Sequence, residues 1–229
     1  MTARQEVFRI IHDTLREKYP APQQKVLFVG IAGTYAAGKT TFSRDMATYL
    51  CQADIDAQAL ETDMYFRLSK PDRFELEKRL REERQLEQRR HEGYVLDTGL
   101  WTCHLDMLRQ RQEVHQTGLY QRETGEKDLT LDITFNGQEK WILYDGVWVT
   151  GEAIREHMDL VLILTADQAV RMERARSRAG RLAHPYVQTP ERFHGIDEFT
   201  RTFLEQQSTD MVINNTDFNN PLVFMRRHD

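Results

Sequence analysis

The 229-residue chain predicts an α/β fold, a mostly parallel sheet covered by helices on both faces. Three observations carry this. Short apolar, partly β-branched runs recur along the chain and alternate with helix-forming stretches, as strands and crossover helices do. The first of these runs, Lys25-Val26-Leu27-Phe28-Val29-Gly30-Ile31, is continuous in the way a strand buried on both faces is. It leads into Gly33-Thr34-Tyr35-Ala36-Ala37-Gly38-Lys39-Thr40-Thr41, which fits G-x-x-x-x-G-K-[ST] at every fixed position. Strand, glycine loop and helix in that order form a phosphate-binding arrangement.

The remaining elements follow in chain order. Residues 3–19 form an amphipathic helix with Val7, Ile10, Ile11 and Leu15 on one face, and Pro20-Ala21-Pro22 ends it. Residues 1–22 are therefore expected as an N-terminal helix packed on the core, and residues 23–229 as one domain. Residues 42–50 form the helix after the loop, with Phe42, Met46, Ala47 and Leu50 on one face. Residues 57–61 read as a second strand that stops at Thr62-Asp63. Residues 74–90 are dense in Arg, Glu and Gln and predict one solvated helix laced by i,i+4 ion pairs. Residues 129–135 alternate apolar and polar like a half-exposed strand. Asn136-Gly137 then signals a hairpin, with residues 140–144 returning and ending at Asp145-Gly146. Residues 160–164 are a further buried strand, residues 167–178 its helix, and residues 211–213 the last strand, ending at Asn214-Asn215.

The loop dictates its own chemistry. Gly33, Ala36, Ala37, Gly38, Lys39, Thr40 and Thr41 would present backbone N–H groups and a helix N-terminus to phosphate oxygens. Lys39 would reach the β- and γ-phosphates, and the Thr40 hydroxyl would ligate Mg²⁺. In parallel sheets ligands bind beyond the carboxyl ends of the strands, which points to Asp63, Asp145 and Asn214. Asp63 is either a base for an acceptor hydroxyl, a ligand to a Mg²⁺-bound water, or a turn aspartate. Asp145 is either a second acid for Mg²⁺ or half of an Asp-Gly turn. On the helix beginning near Asp167, Arg171, Arg174 and Arg178 share a side, Arg181 continues it, and Gly180 offers a hinge. Such a segment is either a solvated surface or a lid whose guanidinium groups meet the transferring phosphoryl group.

Composition narrows the partners. A net charge of −5 gives no global basic footprint for nucleic acid. The two cysteines, Cys51 and Cys103, stand far apart and in no metal-like or disulfide spacing. No apolar run approaches the ~20 residues of a membrane span, and the N-terminal residues have no signal-type apolar core. These readings lead to an expectation of a cytoplasmic protein with no nucleic-acid or membrane partner, with homo-oligomer formation left open.

Four segments in order carry a resemblance to a known family: Gly30 through Thr41; Asp63 followed by Tyr65-Phe66; Gly118-Leu119-Tyr120-Gln121-Arg122-Glu123-Thr124-Gly125-Glu126; and Tyr144-Asp145-Gly146-Val147. Together they resemble the uridine kinase-like group of P-loop kinases, which includes phosphoribulokinase and bacterial pantothenate kinase. The resemblance implies a P-loop NTPase three-layer sandwich with sheet order 2-3-1-4-5, a β-hairpin insertion and an arginine-rich lid. It implies ATP and Mg²⁺ as cofactors and phosphoryl transfer to a hydroxyl of a nucleoside, sugar or similar metabolite. By position, Asp63 would be the catalytic base, and Lys39, Arg174 and Arg178 would act on the phosphates. Thr40 and Asp145 would hold the metal, and Asp63, Tyr65, Tyr120 and Trp101 would bind the acceptor. Asn214 or Asn215 matches the family asparagine near the last strand. The chain departs from the family where residues 94–101 lack an Asp-His-Pro segment, where Tyr65-Phe66 reverses the usual aromatic pair, and where Asp145 replaces a glutamate. Two other classes are weighed: a GTPase-like switch, for which Asn214-Asn215-Thr216-Asp217 lacks the lysine of N-K-x-D, and a nucleic-acid-linked ATPase resting on the arginine-rich helix 73–90.

Overall fold

In the computed structural model, residues 1–20, 25–91, 95–136, 139–181 and 190–225 are described. The chain divides into two compact units: Met1–Leu60 with Gln138–Asp229, and the inserted Glu61–Gly137. Where the sequence suggests one domain over 23–229, the fold sets the insert apart as a unit of its own.

The first unit starts with α1 (Ala3–Lys18), capped by Thr2 and Gln5 in a reciprocal capping box. β1 (Val26–Gly33) follows, with all eight residues buried, and then α2 (Lys39–Gln52) and β2 (Asp56–Glu61). The insert holds α3 (Lys70–Glu82), α4 (Leu86–His91), α5 (Thr98–Arg109), β3 (Val114–Leu119) and β4 (Leu129–Ile133). The chain returns to the first unit with β5 (Lys140–Asp145), α6 (Glu152–Arg155), β6 (Leu160–Thr165), α7 (Gln168–Arg181), α8 (Pro190–Glu205), β7 (Met211–Asn214) and β8 (Leu222–Met225).

The main sheet has the order β2-β5-β1-β6-β7-β8. β1 is parallel to β5 and to β6, and β6 is parallel to β7. The expected order of five strands is thus extended by a sixth, β8, which runs antiparallel on β7. On one face Leu27, Val29 and Ile31 of β1 meet Val7, Phe8, Ile11 and Leu15 of α1 and Phe42, Met46 and Leu50 of α2 in a single buried cluster. On the other face Phe28 packs near Tyr144, and Trp148 stacks against Phe199 and Phe203 of α8. Each of these apolar side chains stabilises the fold by about 1.5–3 kcal/mol when fully buried. The N-terminal helix is therefore part of the core and not an appendage.

Two expectations need correction. The strand at residues 129–135 does not pair with residues 140–144. β4 pairs antiparallel with β3, as a separate two-stranded sheet with a bulge between Gln116 and Leu119, where Gly118 takes φ +72°. β5 is buried at all six residues and lies in the middle of the main sheet. Continuous burial is the mark of a central parallel strand, and it outweighs the Asn-Gly signal, whose Gly137 lies outside the described residues. The single helix expected over residues 74–90 is two helices. Arg84 has φ +59°, and the Gln85 N–H donates to the Leu80 carbonyl at 2.8 Å, which terminates α3 in a left-handed cap. Both helices are largely exposed and bury Leu80 and Leu86, as the interleaved charges predict. Among the described residues no helix is long and apolar enough to cross a membrane.

Candidate active site

The glycine loop sits at the carboxyl end of β1 and is fixed from below by neighbouring strands. A Cβ at Gly33 would stand 2.4 Å from the carbonyl oxygen of Leu164 on β6, so no larger residue fits there. Gly38 has φ +96°, and a Cβ on it would stand 2.8 Å from Asn215 Nδ2. Ala36 is also left-handed, at φ +59°, a conformation costing roughly 1–2 kcal/mol in a non-glycine residue. Gly38 begins α2 without a side-chain cap, and the first turn of α2 contains no acidic residue. The leading N–H groups of a helix have no partner within it. Here no side-chain cap answers them and the turn carries no acid of its own, and an anion suits both their dipole and their donors. Lys39 Nζ folds back on the loop and donates to the carbonyls of Gly33 and Thr34 at 3.0 and 3.1 Å.

Behind the loop a hydroxyl–carboxylate cluster forms. Asp145, buried at the end of β5, accepts from Thr40 Oγ1 and from Ser43 Oγ, each at 3.1 Å. These are hard oxygen groups of the kind Mg²⁺ selects, and this ion is characteristically held by one or two protein oxygens plus substrate phosphates. Among the described residues no three His, Cys, Asp or Glu side chains gather.

The arginines of α7 are anchored. Arg171 is buried in a bidentate pair with Asp197 of α8 and donates to the Tyr35 carbonyl at 3.3 Å. Arg174 donates to the carbonyls of Ala37 at 3.3 Å, Asn215 at 2.8 Å and Thr216 at 3.1 Å. Burial lowers the pKa of its guanidinium from the ordinary arginine value. Asn215, buried, donates from Nδ2 to the Ala37 carbonyl at 2.8 Å. Arg174 and Asn215 therefore tie α7 and the end of β7 to the loop itself. α7 runs unbroken through Gly180, which is a helical residue and not a bend. The side chain of Arg178 and the segment after Arg181 lie outside the described residues.

In the inserted unit, Asp63 lies on a 3₁₀ turn, Thr62–Tyr65. The turn is held by backbone bonds: Phe66 N–H to the Asp63 carbonyl at 3.0 Å, Tyr120 N–H to Met64 at 3.0 Å and Asp97 N–H to Tyr65 at 2.8 Å. The Asp63 carboxylate stands 3.6 Å from Arg122 Nε, and Arg122 Nη1 pairs with Glu61 at 2.8 Å. Tyr65 is buried, stacked on Trp101 at 5.1 Å and 10°, with its hydroxyl 3.2 Å from His104 Nδ1. Trp101 has no exposed surface, so it braces Tyr65 from behind. Tyr120 is buried edge-on to Phe66. Burial pushes the His104 pKa down, opposed by a hydrogen bond from the imidazole to the Gln116 side chain.

With this geometry in place, comparison with known proteins is decisive at one level. The sequence profile of the Phosphoribulokinase / Uridine kinase family matches residues 28–184. The chain belongs to that family. Membership makes it a phosphotransferase with an alcohol group as acceptor, and implies ATP as the donor. Comparison with curated proteins gives no match. Among solved structures, a putative fructose transport system kinase from Silicibacter sp. TM1040 aligns with a TM-score of 0.63 and 16% identity, over 93% of this chain and 98% of that one. A D-glycerate 3-kinase from Cryptococcus neoformans var. grubii aligns with a TM-score of 0.62 and 10% identity, over 98% of this chain and 100% of that one. At such identities the likeness is one of fold.

Two residues of the segment compared with N-K-x-D are engaged within the chain. Asn215 is spent on the loop carbonyl, and the Asp217 carboxylate accepts from Asn219 N–H at 2.9 Å and Asn220 Nδ2 at 2.7 Å, bonds that hold its pKa down. Sequence reasoning missed Ser43, Asp197 and Arg122. Ser43 was within reach, since it lies one helical turn after Thr40. Asp197 was not, because its partnership with Arg171 spans 26 positions.

Proposed function

We propose that this kinase transfers the γ-phosphoryl group of ATP, with Mg²⁺, to a hydroxyl of a nucleoside, sugar or similar small metabolite. The observation that carries the donor side is the uncapped, acid-free first turn of α2 beside Lys39. Lys39 exchanges its loop carbonyls for β- and γ-phosphate oxygens. Thr40 and Asp145 would hold Mg²⁺, which supplies charge neutralisation on the bridging phosphate oxygens. Arg174, already fastened to the loop, and Arg178 take the cationic role on α7. Asp63 accepts the proton of the attacking hydroxyl, and Arg122 keeps its carboxylate oriented.

A coupled assay of ADP release across nucleosides, sugars, sugar phosphates, glycerate, pantothenate and vitamin alcohols tests this. One alcohol is expected to raise ADP release far above the ATPase background and to be recovered as its phosphate ester. ATP consumed only by water, with every alcohol inert, would refute phosphotransfer to a small molecule.

A further inference from the structure

Arg73, on the first turns of α3, is a cation with no ion-pair partner among the described residues. Its guanidinium carbon lies 4.1 Å from the ring centroid of Phe66 and 5.0 Å from that of Tyr120. Nη2 donates to the Tyr120 hydroxyl at 3.4 Å, and Nη1 is shielded from solvent with no hydrogen-bond partner. Among the described residues no carboxylate pairs with it. The adjacent acid, Asp72, accepts from Ser69 at 2.7 Å. A partly desolvated guanidinium with an unused donor is unfavourable, and attraction to two ring faces offsets only part of that. A second cation, Lys127, also meets this turn. Lys127 donates to the carbonyls of Phe66 and Arg67 at 3.3 and 3.2 Å, again with no carboxylate among the described residues.

Phe66 closes the turn that carries Asp63, its N–H bonded to the Asp63 carbonyl at 3.0 Å. Both cations therefore meet the residue that closes this turn, three positions on from the aspartate assigned to the acceptor hydroxyl. Asp63 itself already has Arg122 beside it. We propose that the acceptor alcohol carries a negatively charged group, a carboxylate or a phosphate monoester, and that Arg73, assisted by Lys127, binds it. The rings hold the guanidinium by its faces and leave its edge for a planar or trigonal oxyanion, the geometry a guanidinium fork recognises. This inference rests on the kinase reading and narrows its acceptor.

The test uses alcohols matched in skeleton and differing in charge: glycerol, glycerate and glycerol 3-phosphate; ribulose and ribulose 5-phosphate; pantothenol and pantothenate. In the wild-type chain the anionic member is expected to have the higher kcat/KM by about tenfold or more. Glycerate against glycerol 3-phosphate separates the carboxylate from the phosphate. Arg73→Met keeps the aliphatic stem between the rings. It is expected to raise KM for the anion by about 10–100-fold, leaving KM for ATP and for the neutral alcohol within about twofold. Arg73→Lys should restore part of the loss. A preference for the neutral member overturns the inference, and so does an Arg73→Met effect equal on both members, which is what a mere strut between two rings would give. If no alcohol raises ADP release, it is the kinase reading that fails. Calorimetric titration of the same pairs, with the nucleotide site filled by a non-hydrolysable ATP analogue, then decides this one. Charge-selective binding lost in Arg73→Met supports it; equal or absent binding overturns it.

Discussion

In the sheet unit the polar work is done by backbone. In the inserted unit it is done by side chains held in place by other side chains. The glycine loop offers N–H groups for the phosphate proposed to bind there, and its shape is set by Gly33 against Leu164 O and Gly38 against Asn215. Asp63, by contrast, depends on Arg122 for its charge partner, and Tyr65 on Trp101 and His104 for its orientation. Backbone recognition restricts residue type at fixed spacing and so leaves a motif. Side-chain recognition can be met by many residue combinations, and a fold can change acceptor without changing architecture. The donor is thus legible from nine consecutive residues, and the acceptor is not.

The largest expected effect breaks the inserted unit while sparing the other. Asp63→Asn preserves shape and removes the proton acceptor, so kcat should fall by about 10²–10⁴-fold. The dissociation constant for ATP should be unchanged, because the phosphate-binding groups belong to the sheet unit. Steady-state kinetics paired with equilibrium nucleotide binding checks this. A collapse of ATP affinity, with turnover per bound ATP intact, would reassign Asp63 to the metal or to structure.

The converse substitution is Lys39→Ala. It removes the ammonium that now bridges the Gly33 and Thr34 carbonyls and that is assigned to the phosphates. The expected loss in kcat is on the order of 10²-fold or more, as for other preorganised electrostatic donors. Affinity for the acceptor alcohol should be retained. Near-normal turnover by a folded Lys39→Ala protein would sink the donor-site assignment.

The contrast between the units also explains what sequence reasoning could reach. Strands β1, β5 and β6 announce themselves by unbroken apolar runs, and the loop by its motif. The pairing of residues 129–133 is hard to read because its partner, residues 114–119, is interrupted by Gly118 and carries three polar residues in a row, His115, Gln116 and Thr117, a weak strand signal. Asn-Gly supplied a nearer and wrong partner. The arginines of α7 were recognisable by spacing, but their anchoring was not. Arg171 meets Asp197, and Arg174 meets the carbonyls of Ala37 and of residues 215–216, contacts between segments far apart in the chain. Arg73 looked like one charge among many on an exposed helix; only the placement of Phe66 and Tyr120 distinguishes it.

The smallest expected effect sharpens the comparison, because it concerns a side chain that supports another side chain. His104 is buried beneath Tyr65, and burial lowers its pKa below the value of 6.5 it has when unfolded. Between the folded and unfolded values the unfolded chain binds more protons, so stability rises with pH across that interval. The contribution of His104 is therefore fully present above the unfolded value and is lost as the pH falls toward the folded one. His104→Gln keeps a polar group of similar size and cannot titrate. On lowering the pH from about 7.5 to about 5.5, a range that brackets the histidine transition, the wild type should lose more thermal stability than the mutant. The excess is expected to be on the order of a few °C in Tm for a chain of this length. Circular dichroism melts of both proteins across the range measure it, and an acceptor KM that worsens over the same interval in the wild type alone would tie the change to the Tyr65 turn. Parallel Tm–pH curves would show that His104 is no more than packing, and that the inserted unit owes its order to the Tyr65–Trp101 stack.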